Sequence, residues 1–422
     1  MGWGRKLGKV DLATRRVSVR MKPHIRKPPF MSLSQGRAYL AIPGPSVIPD
    51  AVLRAMHRAS PNIYEGELHE LTHSLVPDLK DIAMTNGKVA IYIGNGHAAW
   101  EAALANVIST GDTVLVLATG RFCVGWGEMA AGLGATVETI DYGDAAPIDL
   151  ARVEEVLAGD KEGRIKAVLA VHVDTSTSVK NDIAGVRAVM DRVGHPALLM
   201  ADCIASLACD RFEMDAWGVD VMVSACQKGL MTPAGVSFVW FNEKADAARG
   251  NRVTTYWDWR PRVNPEAYFQ YFDGTAPTHH LYGLRAAIDL IKAEGLDNVF
   301  DRHEKLAQVV WAAFDQWSQT GPMQLNIANP NHRSHAVTAV GIGSPNGDAL
   351  RNWCEHQCGL TLGIGLGRSP ADAFFRIGHM GHVNAHMIMG VLGTIDAGLK
   401  ALDIPHGDGA LAAAAQALAV RA

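Results

Sequence analysis

Between about residues 85 and 240, short apolar runs alternate with segments of helical pattern, and this alternation constrains the fold most. The runs have the length of strands; they are residues 89–93, 114–118, 165–171, 197–201, 219–224 and 236–241. Apolar strands that alternate with helices indicate an α/β fold with a mainly parallel sheet. We therefore expect functional residues at the strand ends, where open sheets of this kind bind ligands.

One lysine, Lys228, stands in the turn between the last two runs. It lies in the sequence Ser-Ala-Cys-Gln-Lys-Gly, which a Thr-Pro-Ala-Gly turn soon follows. Burial disfavours the charged ammonium form, and a neutral amine can attack a carbonyl group to form a Schiff base. Alternatively, the aliphatic stem is buried while the amine reaches the surface. The spacing alone favours that alternative.

The run at 197–201 leads into a carboxylate, Asp202, which precedes Lys228 by 26 residues. A charged residue at the end of a buried strand either lies at the surface or faces a cation. A pyridoxal phosphate site needs such a carboxylate, because it keeps the pyridine nitrogen protonated and lets the ring act as an electron sink. Asp202 and Lys228 together therefore suit a pyridoxal phosphate site.

The first run leads into a glycine-rich turn, Gly94-Asn95-Gly96-His97, that opens a helix. Free N–H groups at the start of a helix bind anions and suit a cofactor phosphate. A dinucleotide-binding fold uses the same device, so a nicotinamide oxidoreductase is an alternative. That fold requires an acidic residue about 20 residues later, and the run at 114–118 ends without one.

These motifs resemble those of the class V aminotransferases of the alanine–glyoxylate, serine–glyoxylate and serine–pyruvate group. The resemblance extends from about residue 42 to about residue 404, and a further motif, R-I-G-H-M-G at 376–381, matches closely. It implies the type I fold of pyridoxal phosphate enzymes, with a seven-stranded, mainly parallel sheet in a large domain and a smaller C-terminal α+β domain. It implies the transfer of an amino group from a small amino acid to glyoxylate or pyruvate, in a ping-pong mechanism through a Schiff base on Lys228.

The resemblance implies nine cofactor-binding positions, two of which, Lys228 and Asp202, are also catalytic. The nine are Asn95, Gly96, His97, Phe122, Thr175, Asp202, Gln227, Lys228 and Thr275. Phe122 stacks on the pyridine ring, with the nearby Trp126 as its rival. Thr175 forms a hydrogen bond near the phenolic oxygen of the cofactor.

The phosphate and the subunit interface share residues in the family that this chain resembles. The turn at 95–97 holds the phosphate, and Thr275 crosses to the cofactor phosphate of the partner subunit. Gln227 contacts the phosphate or the partner subunit. The resemblance therefore implies a homodimer with its active sites at the interface.

Three positions are implied on the substrate side. Arg376 binds the α-carboxylate, since its guanidinium fork can hold a carboxylate bidentately. Gly44 belongs to a Pro-Gly-Pro arm that lies against the active site. Tyr64 lies where many members of the family have a histidine.

Two enzymes with the same cofactor are alternatives. A cysteine desulfurase requires a histidine before the lysine and another over the ring, where this chain has Gln227 and Phe122, and a cysteine on a mobile loop, whereas Cys354 and Cys358 lie in a helical pattern. A pyridoxamine–pyruvate aminotransferase shares the R-I-G-H-M-G motif. We expect an acidic residue near Asn95 in that enzyme to hold the free vitamin.

A chain of 422 residues exceeds the size at which single cores stop growing, so we expect two domains. The first 30 residues contain nine Lys or Arg and one acid, which predicts a disordered extension. The predicted segments are a basic extension at 1–30, an arm at 31–55, a large cofactor-binding domain at 56–290, a small domain at 291–404 and an alanine-rich tail at 405–422.

Composition excludes several classes of partner. A net charge of −4 gives no reason to expect nucleic acid, and no apolar run has the length of a membrane span. Six cysteines without a CxxC pair indicate a reducing compartment, and we expect the cytoplasm. Three histidines at 379, 382 and 386 have a spacing that suits a metal, but no carboxylate joins them locally, so we expect no metal. The segment 257–262, with two tryptophans and two arginines, suits a pocket wall or a subunit contact.

Overall fold

The structure is a computed structural model that describes residues 33–420. The predicted basic extension at 1–30, the first two residues of the predicted arm and the last two of the tail lie outside the described residues. The strands are β1 (Tyr39–Ala41), β2 (Lys88–Gly94), β3 (Thr113–Ala118), β4 (Thr136–Asp141), β5 (Ile165–Val171), β6 (Val173–Asp174), β7 (Val179–Lys180), β8 (Leu198–Asp202), β9 (Val221–Ala225), β10 (Gly235–Phe241), β11 (Gln324–Leu325), β12 (Val337–Gly341), β13 (Leu360–Ile364) and β14 (Phe374–Gly378).

Helices surround these strands. They are α1 (Asp50–Met56), α2 (Glu67–Ile82), α3 (Gly96–Val107), α4 (Arg121–Gly132), α5 (Leu150–Gly159), α6 (Ile183–Val193), α7 (Glu243–Ala247), α8 (Trp259–Val263), α9 (Thr278–Glu294), α10 (Leu296–Trp317), α11 (Asn346–Cys358), α12 (Ala385–Ala401) and α13 (Ala410–Ala419). No helix within residues 33–420 is long and apolar enough to cross a membrane.

A seven-stranded sheet has the order β2-β10-β9-β8-β5-β3-β4. Strand β10 runs antiparallel to both of its neighbours, and the other neighbouring pairs are parallel. This confirms the predicted α/β fold with a mainly parallel sheet of seven strands.

Both faces of this sheet are covered, which explains why its central strands are continuous apolar runs. Along β3, Leu115 and Leu117 belong to one hydrophobic core, while Val114 and Val116 belong to another. Side chains of successive strand residues point to opposite faces, so each face needs apolar residues of its own. The carboxyl ends of the parallel strands lie at one edge of the sheet, where β8 ends at Asp202.

A second sheet has the order β1-β13-β14-β12-β11, in which only the β1–β13 pair is parallel. Its core contains residues of α10, α11 and α12, together with Ala41 of β1 and with Ala410 and Ala414 of α13. The N-terminal strand and the alanine-rich helix thus pack against the C-terminal part of the chain. The predicted domain boundaries stay predictions.

Candidate active site

A cavity of about 250 Å³ lies at the carboxyl edge of the large sheet. Nine of the predicted site residues line it: Gly44, Asn95, Gly96, His97, Phe122, Thr175, Asp202, Gln227 and Lys228. They come from the N-terminal arm, the start of α3, the start of α4, the turn after β6, the last residue of β8 and the turn after β9. The fold therefore brings together residues that are up to 184 positions apart in the sequence.

Lys228 lies in the turn between the antiparallel strands β9 and β10. Its Nζ donates a hydrogen bond to the carbonyl oxygen of Pro43. Burial, followed by the positive charge of Arg376, lowers the pKa of Lys228 to about 8. The fraction of this lysine that carries a neutral amine near neutral pH is therefore much larger than in an exposed lysine.

The arm passes so close to this amine at position 44 that a larger residue there would displace the end of the Lys228 side chain. A Cβ atom added to Gly44 would lie 2.6 Å from Lys228 Nζ. The residue also has a φ of +100°, a conformation that other residues rarely adopt. The predicted contact of Gly44 with the substrate stays a prediction, but the structure places the residue directly against the reactive lysine.

Asp202 ends strand β8 and is 3% exposed. Its Oδ2 accepts a hydrogen bond of 2.8 Å from Trp100 Nε1, and its Oδ1 accepts one of 2.7 Å from the backbone N–H of Ile204. Burial raises the pKa of Asp202 to about 7. Within residues 33–420 this carboxyl group forms no ion pair, so a cation bound in the cavity would stabilise its charged form.

Trp100 also lines the cavity, and the sequence analysis did not assign it a role. In the sequence, Trp100 resembles the other apolar residues of helix α3. No local pattern indicates that its indole contacts a carboxylate 102 residues away. A buried tryptophan N–H normally finds an acceptor. That rule is the only sequence signal that could have identified it.

Helix α3 begins at the glycine-rich turn, as expected for an anion site. The side chain of Asn95 caps the helix by accepting a hydrogen bond of 3.0 Å from the N–H of His97. Gly96 packs against Ile204, and a Cβ atom at this position would clash with that side chain. Burial, followed by the charge of Arg121, lowers the pKa of His97, which favours the neutral imidazole.

Phe122 faces the cavity and its rival Trp126 does not. Trp126 is fully buried behind Trp100, and their ring centroids are 6.1 Å apart in a stacked arrangement. The N–H of Phe122 donates a hydrogen bond of 2.9 Å to Asp174 Oδ2, which fixes the start of helix α4. Phe122 is therefore the aromatic side chain available for stacking on a bound ring.

Arg376 lies on β14 and contacts Thr175, a residue of the cavity lining, and it is 6% exposed. Its Nη1 donates to the carbonyl oxygen of Thr175 at 2.8 Å, and its Nε donates to that of Ile364 at 2.7 Å. Burial lowers the pKa of Arg376 to about 10. Its charge also lowers the pKa of Lys228, so the guanidinium lies near the reactive amine.

Three predicted site residues, Arg376, Thr275 and Tyr64, are not among the residues that line the cavity. Thr275 is exposed, and Tyr64 is 84% exposed. Gln227 lines the cavity, but its buried Oε1 has no hydrogen-bond partner among residues 33–420. Gln227 Oε1 is thus free to accept a hydrogen bond from a group outside the described part of this single chain.

Other segments have structural explanations. His379 uses both ring nitrogens, in hydrogen bonds with Thr338 Oγ1 and the carbonyl oxygen of His335. No group of three metal-ligating side chains occurs within residues 33–420. In the tryptophan-rich segment, Arg262 is 1% exposed and donates to three backbone carbonyl groups. This segment therefore packs behind strand β2 and forms no wall of the cavity.

Residues 38–380 match the family model described as aminotransferase class-V. The chain belongs to the class V aminotransferases. This class V aminotransferase is 37% identical over 391 residues to a serine–glyoxylate aminotransferase of Hyphomicrobium methylovorum, a match that covers 89% of this chain and 93% of that protein. It is 35% identical over 383 residues to an L-aspartate–glyoxylate aminotransferase of Paracoccus denitrificans, a match that covers 89% of this chain and 94% of that protein.

The fold of this class V aminotransferase also matches solved structures. The crystal structure of a pyridoxamine–pyruvate aminotransferase from Mesorhizobium loti superposes with a TM-score of 0.82 over 92% of this chain and 99% of that one. The identity is 23%, so the match bears on the fold alone. The predicted family, the type I fold and the aminotransferase class are confirmed.

Proposed function

We propose that this aminotransferase uses pyridoxal 5′-phosphate to move an amino group from a small amino acid to glyoxylate or pyruvate in a ping-pong mechanism. One observation carries the proposal: a buried carboxyl group, Asp202, and a lysine of lowered pKa, Lys228, line the same cavity. An acid and a base whose pKa values are both shifted, and which line one cavity, are typical of catalytic sites.

The cavity fits this cofactor by the chemistry of its side chains. Asp202 is buried and within residues 33–420 has two N–H donors but no cationic partner in contact. A pyridinium nitrogen would provide that partner. When bound, pyridoxal phosphate supplies an electron sink for negative charge on the carbon next to the amino group.

The other lining residues would hold the remaining parts of the cofactor. Phe122 would stack on the ring, and Thr175 would lie near the phenolic oxygen. The start of α3 at 95–97 would hold the phosphate, because N–H groups at the start of a helix attract anions. Thr275 of a partner subunit would complete the phosphate site.

Two side chains would act on the substrate. The guanidinium of Arg376 would bind the α-carboxylate and fix the orientation of the amino acid. The Nζ of Lys228 would take the α-proton of the donor and deliver it to the C4′ carbon of the cofactor, which requires an amine that is neutral part of the time. A pKa of about 8 allows this near neutral pH.

The named relatives support glyoxylate as the acceptor, since the two proteins described above are both glyoxylate aminotransferases. A pyridoxamine–pyruvate aminotransferase is the alternative. We expect that enzyme to hold free vitamin with an acidic residue near Asn95, but the only carboxylate among the residues lining this cavity is Asp202. A desulfurase is disfavoured because Cys354 is buried and its pKa is raised to about 12 by that burial.

The proposed assembly is a homodimer. The exposure of Thr275 and the unpartnered Oε1 of Gln227 support it, because a second subunit could bring each of them to a site. The proposed location is the cytoplasm. All six cysteines are free thiols, as a reducing compartment requires.

The test is a visible absorption spectrum of the purified protein with pyridoxal phosphate, before and after single amino donors without an oxo acid. We expect one donor to convert the bound aldehyde form into the amine form, and glyoxylate to reverse the change. The variant Lys228→Ala should lose the conversion. A protein that binds no pyridoxal phosphate would contradict the proposal, and a response to pyridoxamine alone would support the alternative.

A further inference from the structure

We propose that Arg121 binds a second carboxylate on the side chain of the amino donor, so that the enzyme selects acidic amino acids. The inference rests on the proposed function and adds to it the chemical class of the donor. It starts from the position of Arg121, which has no role in the cofactor site proposed above.

The backbone of Arg121 is fixed beside the cavity. Its N–H donates a hydrogen bond of 3.2 Å to Ser176 Oγ, and the next N–H, that of Phe122, donates one of 2.9 Å to Asp174 Oδ2. Ser176 and Asp174 are themselves joined by a hydrogen bond of 2.5 Å, and both are at most 2% exposed. Hydrogen bonds therefore hold the backbone at the start of α4, from which the side chain of Arg121 extends.

The same short segment holds the guanidinium of Arg376. That guanidinium donates to the carbonyl oxygen of Thr175, the residue between Asp174 and Ser176. Two residues of extended chain span at most about 7 Å. The two arginines thus contact neighbouring positions of one segment, and Arg376 is the group that would bind the α-carboxylate.

A second segment, residues 364–367, contacts both arginines. Arg376 Nε donates to the carbonyl oxygen of Ile364. The stem of Arg121 runs along Gly367, where an added Cβ atom would lie 3.1 Å from Arg121 Cβ and 3.3 Å from its Cδ. A Cβ atom at 367 would therefore press on the stem of Arg121, and the φ of +74° also favours glycine there.

The guanidinium of Arg121 has no partner within residues 33–420, neither a carboxylate in an ion pair nor a hydrogen-bond acceptor. Its neighbour Arg368 differs, because it donates to Asn326 Oδ1 and the carbonyl oxygen of Asp144 and packs over Phe374. The charge of Arg121 is close enough to the cavity to lower the pKa of His97. Arg121 itself is exposed and adjoins Phe122, which lines the cavity, so an unpaired guanidinium lies on the residue next to the cavity lining.

A guanidinium binds a carboxylate bidentately, which fixes its orientation as well as its charge. A donor with two carboxylates would span the gap between Arg376 and Arg121. A neutral donor such as serine or alanine would use Arg376 alone. Selection between these classes should therefore depend on Arg121 and leave the proton transfer at Lys228 in place.

The test measures kcat and KM for L-aspartate and L-serine with the holoenzyme and glyoxylate. We expect Arg121→Gln to lower the ratio of kcat/KM for aspartate to that for serine by about 10–100-fold, the loss expected for a hydrogen-bonded charge pair. Most of the change should lie in a raised KM for aspartate, and Arg121→Lys should give an intermediate ratio. The matched control is Arg252→Gln, which removes the same charge from an exposed arginine elsewhere.

The outcomes separate this inference from the proposed function. A wild type that uses serine but not aspartate would overturn the inference and leave the proposed function intact. An Arg121→Gln ratio within twofold of the wild-type ratio would also overturn it, and would assign Arg121 to solvent or to a subunit contact. A wild type that converts no amino donor at all would refute the proposed function itself.

Discussion

The hydrogen bond between Trp100 and Asp202 should control the charge of the carboxylate that would face the proposed cofactor. Replacing Trp100 by Phe keeps an aromatic ring but removes the N–H that donates a hydrogen bond of 2.8 Å to Asp202 Oδ2. The carboxyl group would keep only its bond from the N–H of Ile204. Because the lost donor favours the ionised form, the pKa of Asp202 should rise above its value of about 7.

The size of the effect follows from the nature of the bond. A hydrogen bond to a charged group contributes about 1.5–3 kcal/mol, and 1.36 kcal/mol corresponds to about one pKa unit. The pKa of Asp202 should therefore rise by about 1–2 units. At pH 7 the carboxyl group would then be mostly neutral, and the affinity for pyridoxal phosphate should fall by about 10–100-fold.

Titration of the apoprotein with pyridoxal phosphate at several pH values measures this affinity directly. The deficit of Trp100→Phe should be largest near pH 6–7 and should shrink towards pH 9, as the carboxyl group ionises again. Trp126→Phe is the matched control, because Trp126 is equally buried and stacks on Trp100 but its Nε1 has no hydrogen-bond partner among the described residues.

Equal losses in the two variants would refute this reasoning, since packing alone would then explain them. A deficit that is independent of pH would refute it as well, because the proposed cause is a titration. Melting curves of both apoproteins would show whether the two substitutions cost similar stability.

Two further results are expected. Gly44→Ala should fold but react with pyridoxal phosphate at least about tenfold more slowly, because the new Cβ would lie 2.6 Å from Lys228 Nζ at a φ of +100°; a normal reaction rate, followed by absorbance, would contradict this. Lys228 has a folded-state pKa of about 8 against 10.5 in an exposed lysine, so the unfolded state binds more protons between these values and stability rises with pH there. The melting temperature of the wild-type apoprotein, compared with that of Lys228→Met, should therefore rise between about pH 8 and pH 10.5, and a constant difference would show that the amine is not perturbed.

The sequence by itself determined the parts of the site that depend on local pattern. The apolar runs marked the strands, and in a parallel sheet the residues that follow such strands meet at one edge. Asp202 and the turn at 95–97 could be placed there from their own segments, and the resemblance added the match of Lys228 and Arg376 to family motifs. These positions require no knowledge of which side chains touch.

Tertiary structure alone decided which side chains act together. The bond from Trp100 to Asp202 joins residues 102 positions apart, and the bond from Arg376 to Thr175 joins residues 201 apart. No local pattern encodes such pairs, because they depend on how helices and a second sheet pack against the strand ends. The choice of Phe122 over Trp126 is similar: four positions apart on one helix, the two aromatics differ only in that Trp126 is buried behind Trp100 while Phe122 reaches the cavity.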